Sequence, residues 1–218
     1  MSTPTSTPTS TPTSTAAAWP PTPPLVAILR GLQPERATAV GQVLFDAGFR
    51  ALEVPLNRPG ALEAISLLQA MKPAGTCVGA GTVTTVAQVE AVAATGARLM
   101  VSPHFDAAVV TRAVELGCYS VPGIFTASEA YAALRAGAHA LKIFPAEAMP
   151  PAGLQAIASI LPPGTALWPV GGITPESLAG WRKAGATGFG IGGALFKPDT
   201  SLEALAASAK AFIEAWGR

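Results

Sequence analysis

The chain has 218 residues, which suits one large domain or two small ones. Half of the residues are hydrophobic, only 12% are charged and the formal net charge is +1. This composition supports a sizeable core and gives no electrostatic reason to expect nucleic acid or an anionic membrane as a partner. The uncharged stretch 148–175 is interrupted by prolines and glycines, so it is not a membrane helix.

The first 23 residues are predicted to form a disordered tail. Residues 2–15 repeat Ser-Thr-Pro-Thr, and alanine and proline dominate up to Pro24. Such a segment has little to bury, and it lacks the basic start and apolar middle of a secretory signal. We therefore expect a tail over residues 1–23 and a single folded domain over residues 24–218.

Beyond the tail, short apolar runs alternate with helical patterns. Glycines follow the helical segments at intervals of 20 to 27 residues, and Thr126 and Glu129 have the spacing of a capping box. Pro34 and Pro175 suit first helical positions. The predicted strands are residues 25–29, 52–56, 76–79, 99–102, 119–122, 140–144, 166–170 and 188–191.

Eight strands alternating with eight helices predict an α/β fold, a compact (β/α)8 TIM barrel; a doubly wound open sheet is the rival architecture. Cys77 and Cys118 lie in strand-like runs, where they are predicted to be small buried residues in a reducing cytoplasm. The localisation predicted from them is cytoplasmic.

Three charged residues lie in or at the end of predicted strands: Arg30, Glu53 and Lys142. Of the five lysines, Lys142 is the one that interrupts an apolar strand. Burial disfavours the ammonium form, and a neutral lysine amine is a nucleophile for carbonyl groups. The pattern therefore indicates Schiff-base chemistry, and a structural Glu53–Lys142 ion pair is the alternative.

Two glycine pairs follow the last two predicted strands. Gly171 and Gly172 follow the seventh strand, and Gly192 and Gly193 follow the eighth. Loops at these two positions of a barrel bind phosphate, because exposed N–H groups can approach an anion closely. The alternative is that these glycines only form tight turns.

Other residues at predicted strand ends are more ambiguous. Thr82 either places a hydroxyl at the pocket rim or caps a helix. Phe144, at the end of the predicted strand that contains Lys142, is predicted to bind substrate. His104 is more simply explained as a solvated side chain. Glu147 is assigned to a surface loop, without a catalytic role.

The chain has two histidines, too few for a catalytic zinc cluster, and no glycine motif completes a dinucleotide fingerprint. No metal and no cofactor are predicted.

The chain from Leu25 to Gly217 resembles the 2-keto-3-deoxy-6-phosphogluconate/6-phosphogalactonate aldolases, a class I family. The matching segments are residues 26–31, 53–57, 79–83, 141–145 and 170–175. The resemblance implies a phosphorylated keto acid as substrate and a homotrimer. It also implies Lys142 as the Schiff-base lysine, Glu53 as the proton-transfer group and Arg30 as the carboxylate ligand. Phosphate would lie at the two glycine loops.

Residues 53–57 resemble the 6-phosphogalactonate branch more than the 6-phosphogluconate branch. Two residues depart from the family pattern: Gly193 stands where serine is usual, and His104 replaces asparagine or glycine. A 6-phosphogluconate or 4-hydroxy-2-oxoglutarate aldolase is the nearest alternative. A phosphosugar epimerase, a synthase without an imine and a non-catalytic phosphate-binding barrel are more distant ones.

Overall fold

The computed structural model describes residues 19–217, in which strands and helices alternate. The strands are β1 (Leu25–Ile28), β2 (Ala51–Pro55), β3 (Cys77–Gly81), β4 (Leu99–Val101), β5 (Tyr119–Val121), β6 (Gly123–Ile124), β7 (Leu141–Ile143), β8 (Leu167–Pro169) and β9 (Phe189–Ile191). The helices are α1 (Pro34–Ala47), α2 (Ala61–Met71), α3 (Val86–Ala94), α4 (Ala107–Glu115), α5 (Ala127–Arg135), α6 (Pro151–Ala158), α7 (Leu178–Lys183) and α8 (Leu202–Gly217). Short 3-10 helices span Ala146–Ala148 and Pro175–Ser177.

A strand lies at each of the eight predicted positions, and a short ninth strand, β6, follows the fifth of them. Pro122 separates β5 from β6, because proline has no N–H group to donate to a neighbouring strand. Its carbonyl oxygen still accepts a hydrogen bond from the backbone N–H of Lys142, at 2.9 Å. The predicted strand positions are confirmed, and the break at Pro122 is a difference.

The strands form two parallel sheets, which confirms the predicted α/β class. The first has the order β5-β4-β3-β2-β1-β9, and the second has the order β6-β7-β8. The first and last strands, β1 and β9, are therefore neighbours. An isolated parallel bridge between Val170 and Gly190 joins the end of β8 to β9.

The helices bury one face each against the sheets. Helix α8 buries Leu205, Ala209 and Phe212, which recur at the three- and four-residue spacing of one helical face. The predicted capping box is confirmed: the Thr126 hydroxyl accepts from the Glu129 N–H, and the Glu129 carboxylate accepts from the Thr126 N–H. Within residues 19–217, no helix combines the length and the hydropathy that a membrane span needs.

An aromatic cluster closes the end of the sheets where the strands begin. Trp19 stacks on Tyr119 with ring centroids 4.5 Å apart, and its ring lies 5.1 Å from that of Trp168. Residues 1–18 of the predicted tail lie outside the described residues, whereas residues 19–23 belong to the described part. Trp19 therefore already packs against the sheets, although it precedes Pro24, where the folded domain was predicted to begin. The domain boundary itself stays a prediction.

Cys77 and Cys118 are both buried and free, as predicted. Burial raises the pKa of the Cys77 thiol to about 12, so this side chain stays protonated at neutral pH.

Candidate active site

Glu53 and Lys142 are buried residues of two different strands, one in each sheet. Glu53 is in β2, opposite Ile28 on one side and Gly79 on the other. Lys142 is in β7, opposite Gly123 and Trp168. Their exposed fractions are only 2% and 6%, so both ionisable groups have lost most of their water. Together with Arg30 at the end of β1, they are the three strand charges that the sequence singles out.

The two glycines of β3 make room for the Glu53 carboxylate and for the backbone of β4. A Cβ atom at Gly81 would overlap that carboxylate, and a Cβ atom at Gly79 would overlap the carbonyl of Leu99. The Gly-Ala-Gly sequence is therefore needed for steric reasons, at a point where side chain and backbone approach closely. Oxygen Oε2 of Glu53 is buried without a hydrogen-bond partner.

Burial shifts the pKa values of both groups in the directions that favour their neutral forms. It raises the pKa of Glu53 from 4.5 to about 7, although the positive charges of Lys142 and Arg30 act in the opposite direction. Burial likewise lowers the pKa of Lys142; the Glu53 carboxylate opposes this effect and Arg30 adds to it. The pair is thus suited to proton transfer near neutral pH.

Glu53 and Lys142 do not form an ion pair. Among residues 19–217, ion pairs join Arg112 to Glu90 and Glu115, and Lys210 to Glu214. Atom Nζ of Lys142 instead lies 4.5 Å from the centroid of the ring of Phe144, the residue that follows the end of β7. The structural ion pair considered as an alternative for Lys142 is therefore absent from the described part of the chain.

A cleft of about 480 Å³ opens at the carboxyl ends of the strands. It is lined by most of the predicted substrate-binding residues, namely Arg30, Phe144, Gly171, Gly172, Gly192 and Gly193. A smaller inner cavity is lined by Glu53 and Lys142, and it shares Ile28 and Val170 with the cleft. The two buried ionisable groups therefore lie directly beneath the floor of the cleft.

The glycine loops present backbone donors that have no protein partner. Among residues 19–217, no protein oxygen accepts a hydrogen bond from the N–H groups of Gly172, Gly193 or Ala194. Gly171 and Gly172 both have positive φ angles, 113° and 62°, which side-chain-bearing residues rarely adopt. Free N–H groups along such a loop are suited to an anion.

Thr82, which the sequence placed at the rim, is not brought to the cleft, and His104 is exposed, in agreement with its prediction as a solvated side chain. Neither Thr82 nor His104 is among the residues that line the cleft or the inner cavity. Thr82 is unusual for another reason: it is the one non-glycine residue with a positive φ, 57°, within the described range. Such a conformation is strained for a β-branched residue.

Glu147 and Lys197 also line the cleft, although neither was predicted as a site residue from the sequence. Glu147 lies in the 3-10 helix Ala146–Ala148, shortly after β7, and Lys197 follows the loop of Gly193. The signal available in the sequence was their closeness to strand ends, since residues there face the mouth of a barrel. In the described part of the chain, no group of three histidine, cysteine, aspartate or glutamate residues could hold a metal ion.

The sequence matches the aldolase family described as KDPG and KHG aldolase over residues 21–209. The chain belongs to this family. A probable 2-dehydro-3-deoxy-6-phosphogalactonate aldolase from Rhizobium meliloti (strain 1021) is 46% identical over 178 residues, which cover 82% of this chain and 84% of the relative. The 2-dehydro-3-deoxy-6-phosphogalactonate aldolase of Escherichia coli (strain K12) is 43% identical over 198 residues, covering 91% and 97%.

A solved structure of native KDPGal aligns with this KDPG/KHG aldolase family member at a TM-score of 0.87 and 43% identity. The alignment covers 89% of this chain and 94% of the other. The family resemblance noted in the sequence is thereby confirmed.

Proposed function

We propose that the protein is a class I aldolase that cleaves 2-dehydro-3-deoxy-6-phosphogalactonate into pyruvate and D-glyceraldehyde 3-phosphate. The observation that carries this proposal is the buried amine of Lys142, with its lowered pKa, beneath a cleft whose far end has free backbone N–H groups. The two relatives above, which bear that substrate in their names, support the choice of keto acid.

The reaction begins at the substrate ketone. The neutral amine of Lys142 adds to C2 and forms a carbinolamine, which loses water to give a protonated imine. The imine cation withdraws electrons from the bond between C3 and C4. Loss of the proton from the C4 hydroxyl breaks this bond, releases glyceraldehyde 3-phosphate and leaves an enamine of pyruvate. Protonation at C3 and addition of water then release pyruvate and regenerate the amine.

Glu53 is the group proposed to move these protons. Its pKa of about 7 allows it to accept and donate protons at neutral pH. Its carboxylate and the Lys142 amine line the same inner cavity, which shares Ile28 and Val170 with the cleft.

The remaining groups would hold the two ends of the substrate. Arg30 lines the cleft near the ionisable pair and is suited to bind the C1 carboxylate through two hydrogen bonds. The loops of Gly171 and Gly172 and of Gly192 and Gly193 would bind the phosphate through their N–H groups. Phe144 would pack against the substrate between these ends. Thr82 is proposed as a further substrate contact at the end of β3.

We further propose that the two sheets close into an eight-stranded (β/α)8 barrel. The pairing of β1 with β9 and the bridge between Val170 and Gly190 support closure, with β5 and β6 counted as one strand interrupted at Pro122. A homotrimer, a cytoplasmic location and a tail that ends near Pro24 are proposed from the resemblance and the composition. Light scattering of the purified protein tests the trimer.

The experiment that tests the function is a coupled assay of pyruvate release with two substrates, the 6-phosphogalactonate and 6-phosphogluconate keto acids. The second is included because the family description covers KDPG aldolases. We expect a higher kcat/KM for the galactonate compound. Reduction with borohydride in the presence of pyruvate should add a pyruvate-derived mass at Lys142. Labelling elsewhere, or no labelling, would defeat the imine mechanism.

A further inference from the structure

The cleft has three charged side chains on its walls: Arg30, Glu147 and Lys197. Arg30 acts on the buried pair, since its charge lowers the pKa of both Glu53 and Lys142. The other two have no such role. They lie at the end of the cleft formed by the glycine loops, where the proposed function places the phosphate.

Glu147 lies against the loop of Gly171 and Gly172. A Cβ atom at Gly171 would overlap its carboxylate, and a Cβ atom at Gly172 would lie 2.8 Å from its Cγ. This position is set by the backbone, because the N–H of Ala146 donates to the carbonyl of Val170 at 2.9 Å. An acidic side chain is thus held where an anionic group of the substrate would approach.

Lys197 lies on the wall formed by the other glycine loop. The chain turns after β9 through hydrogen bonds from the N–H groups of Leu195 and Phe196 to the carbonyl of Gly192, at 2.8 and 3.0 Å. The N–H of Lys197 donates to the Thr200 hydroxyl at 3.0 Å. Arg36 of α1 fastens the same loop by donating to the carbonyls of Pro198 and Thr200. The backbone that carries Lys197 is therefore held firmly.

We propose that Lys197 and Glu147 change the preference for a phosphorylated substrate in opposite directions. Lys197 attracts the dianionic group, and Glu147 repels it and so limits how tightly phosphorylated substrate and product are held. This inference rests on the proposed function for the identity of the substrate. It extends that function by assigning two residues that the backbone N–H site does not require.

The opposed charges act most strongly when phosphate is bound. Two unit charges about 5 Å apart interact appreciably at a partly desolvated site, and exposure to solvent reduces the effect to a modest one. A dianion doubles the interaction of each side chain relative to a single charge. We expect each charge to alter the preference for a phosphorylated substrate by roughly 3- to 10-fold.

The test compares kcat/KM for the phosphorylated keto acid with kcat/KM for the same keto acid without its phosphate. Glu147→Gln should raise this ratio, and Lys197→Gln should lower it. Glu214→Gln and Lys210→Gln are matched controls, because they make the same charge changes on the exposed face of α8, and they should leave the ratio unchanged. A ratio that moves in the same direction in both cleft variants, or in neither, would overturn the proposal.

Inorganic phosphate separates failure of this inference from failure of the proposed function. Its dissociation constant, measured by calorimetry without any keto acid, should decrease in Glu147→Gln and increase in Lys197→Gln. Opposite shifts support the proposed roles of Glu147 and Lys197 even if no pyruvate adduct forms on Lys142. Equal or absent shifts refute it even if the adduct forms and pyruvate is released.

Discussion

The carboxylate of Glu53 occupies the volume that a side chain at Gly81 would need. This contact links the second and third strands at the point where the proposed chemistry takes place. The Glu53 carboxylate can therefore occupy this position only because residue 81 has no side chain.

Gly81→Ala should displace the Glu53 carboxylate and lower kcat by roughly 10²-fold or more, because misplacement by about 1 Å is costly in catalysis. The free energy of unfolding should fall by about 1–3 kcal/mol from overpacking. Steady-state kinetics and urea unfolding measure the two effects. Gly180→Ala is the control, since nothing lies within 4 Å of a Cβ atom at that helical position. If Gly81→Ala keeps the kcat of the wild type, catalysis does not depend on the observed position of the Glu53 carboxylate.

Glu53→Gln should slow cleavage by about 10²- to 10⁴-fold while weakening pyruvate binding much less, since a glutamine cannot transfer protons. In the wild-type protein kcat/KM should fall as the pH drops through about 7, where Glu53 becomes protonated. This limb of the pH profile should disappear in the variant. A limb of the same pKa in Glu53→Gln would assign it to another group.

The same carboxyl group should make stability depend on pH. Its pKa is about 7 in the folded protein and 4.5 ordinarily, so between these values the folded state binds protons more tightly than the unfolded chain. The contribution of Glu53 to the free energy of unfolding is therefore full below about pH 4.5 and is lost as the pH rises through 7. Urea unfolding at pH 5 and 8 measures this effect. The free energy of unfolding of Glu53→Gln, relative to that of the wild type, should be roughly 1–3 kcal/mol higher at pH 8 than at pH 5. Glu214→Gln should show no such gain.

The positive φ of Thr82 predicts an order of stability among its variants. Thr82→Gly should be more stable than Thr82→Ala by about 1 kcal/mol, because glycine adopts this conformation without a steric penalty. If the hydroxyl contacts substrate as proposed, both variants should lose the same factor in kcat/KM. Equal stabilities would mean that the loop relaxes when the side chain is shortened.

The stacking of Trp19 on Tyr119 predicts where truncation begins to matter. Removal of residues 1–18 should leave Tm unchanged. Trp19→Ala in the full chain should lower the free energy of unfolding by about 1–3 kcal/mol, through loss of a large aromatic contact. Thermal unfolding followed by circular dichroism measures both, and a Trp19→Ala variant as stable as wild type would place the domain start after this residue.

Much of the fold was readable from local patterns. The eight strand positions, the capping box at Thr126 and the burial of the two cysteines are confirmed. Each depends on residues close together in the chain: apolar runs, a hydroxyl three residues before an acid, and glycines after helices. The break at Pro122 was less visible, because a proline at a strand end and one that divides a strand look alike in sequence.

The sequence by itself determined which side chains were out of place: a lysine and a glutamate in strands that are otherwise apolar, and two glycine pairs in the last loops. Tertiary structure alone decided that Glu53 fits over Gly81, that Glu147 and Lys197 face the same cleft, and that Trp19 covers the opposite end. These relationships join residues far apart in the chain. Local propensity carries no information about such distances, which depend on how the strands are packed side by side.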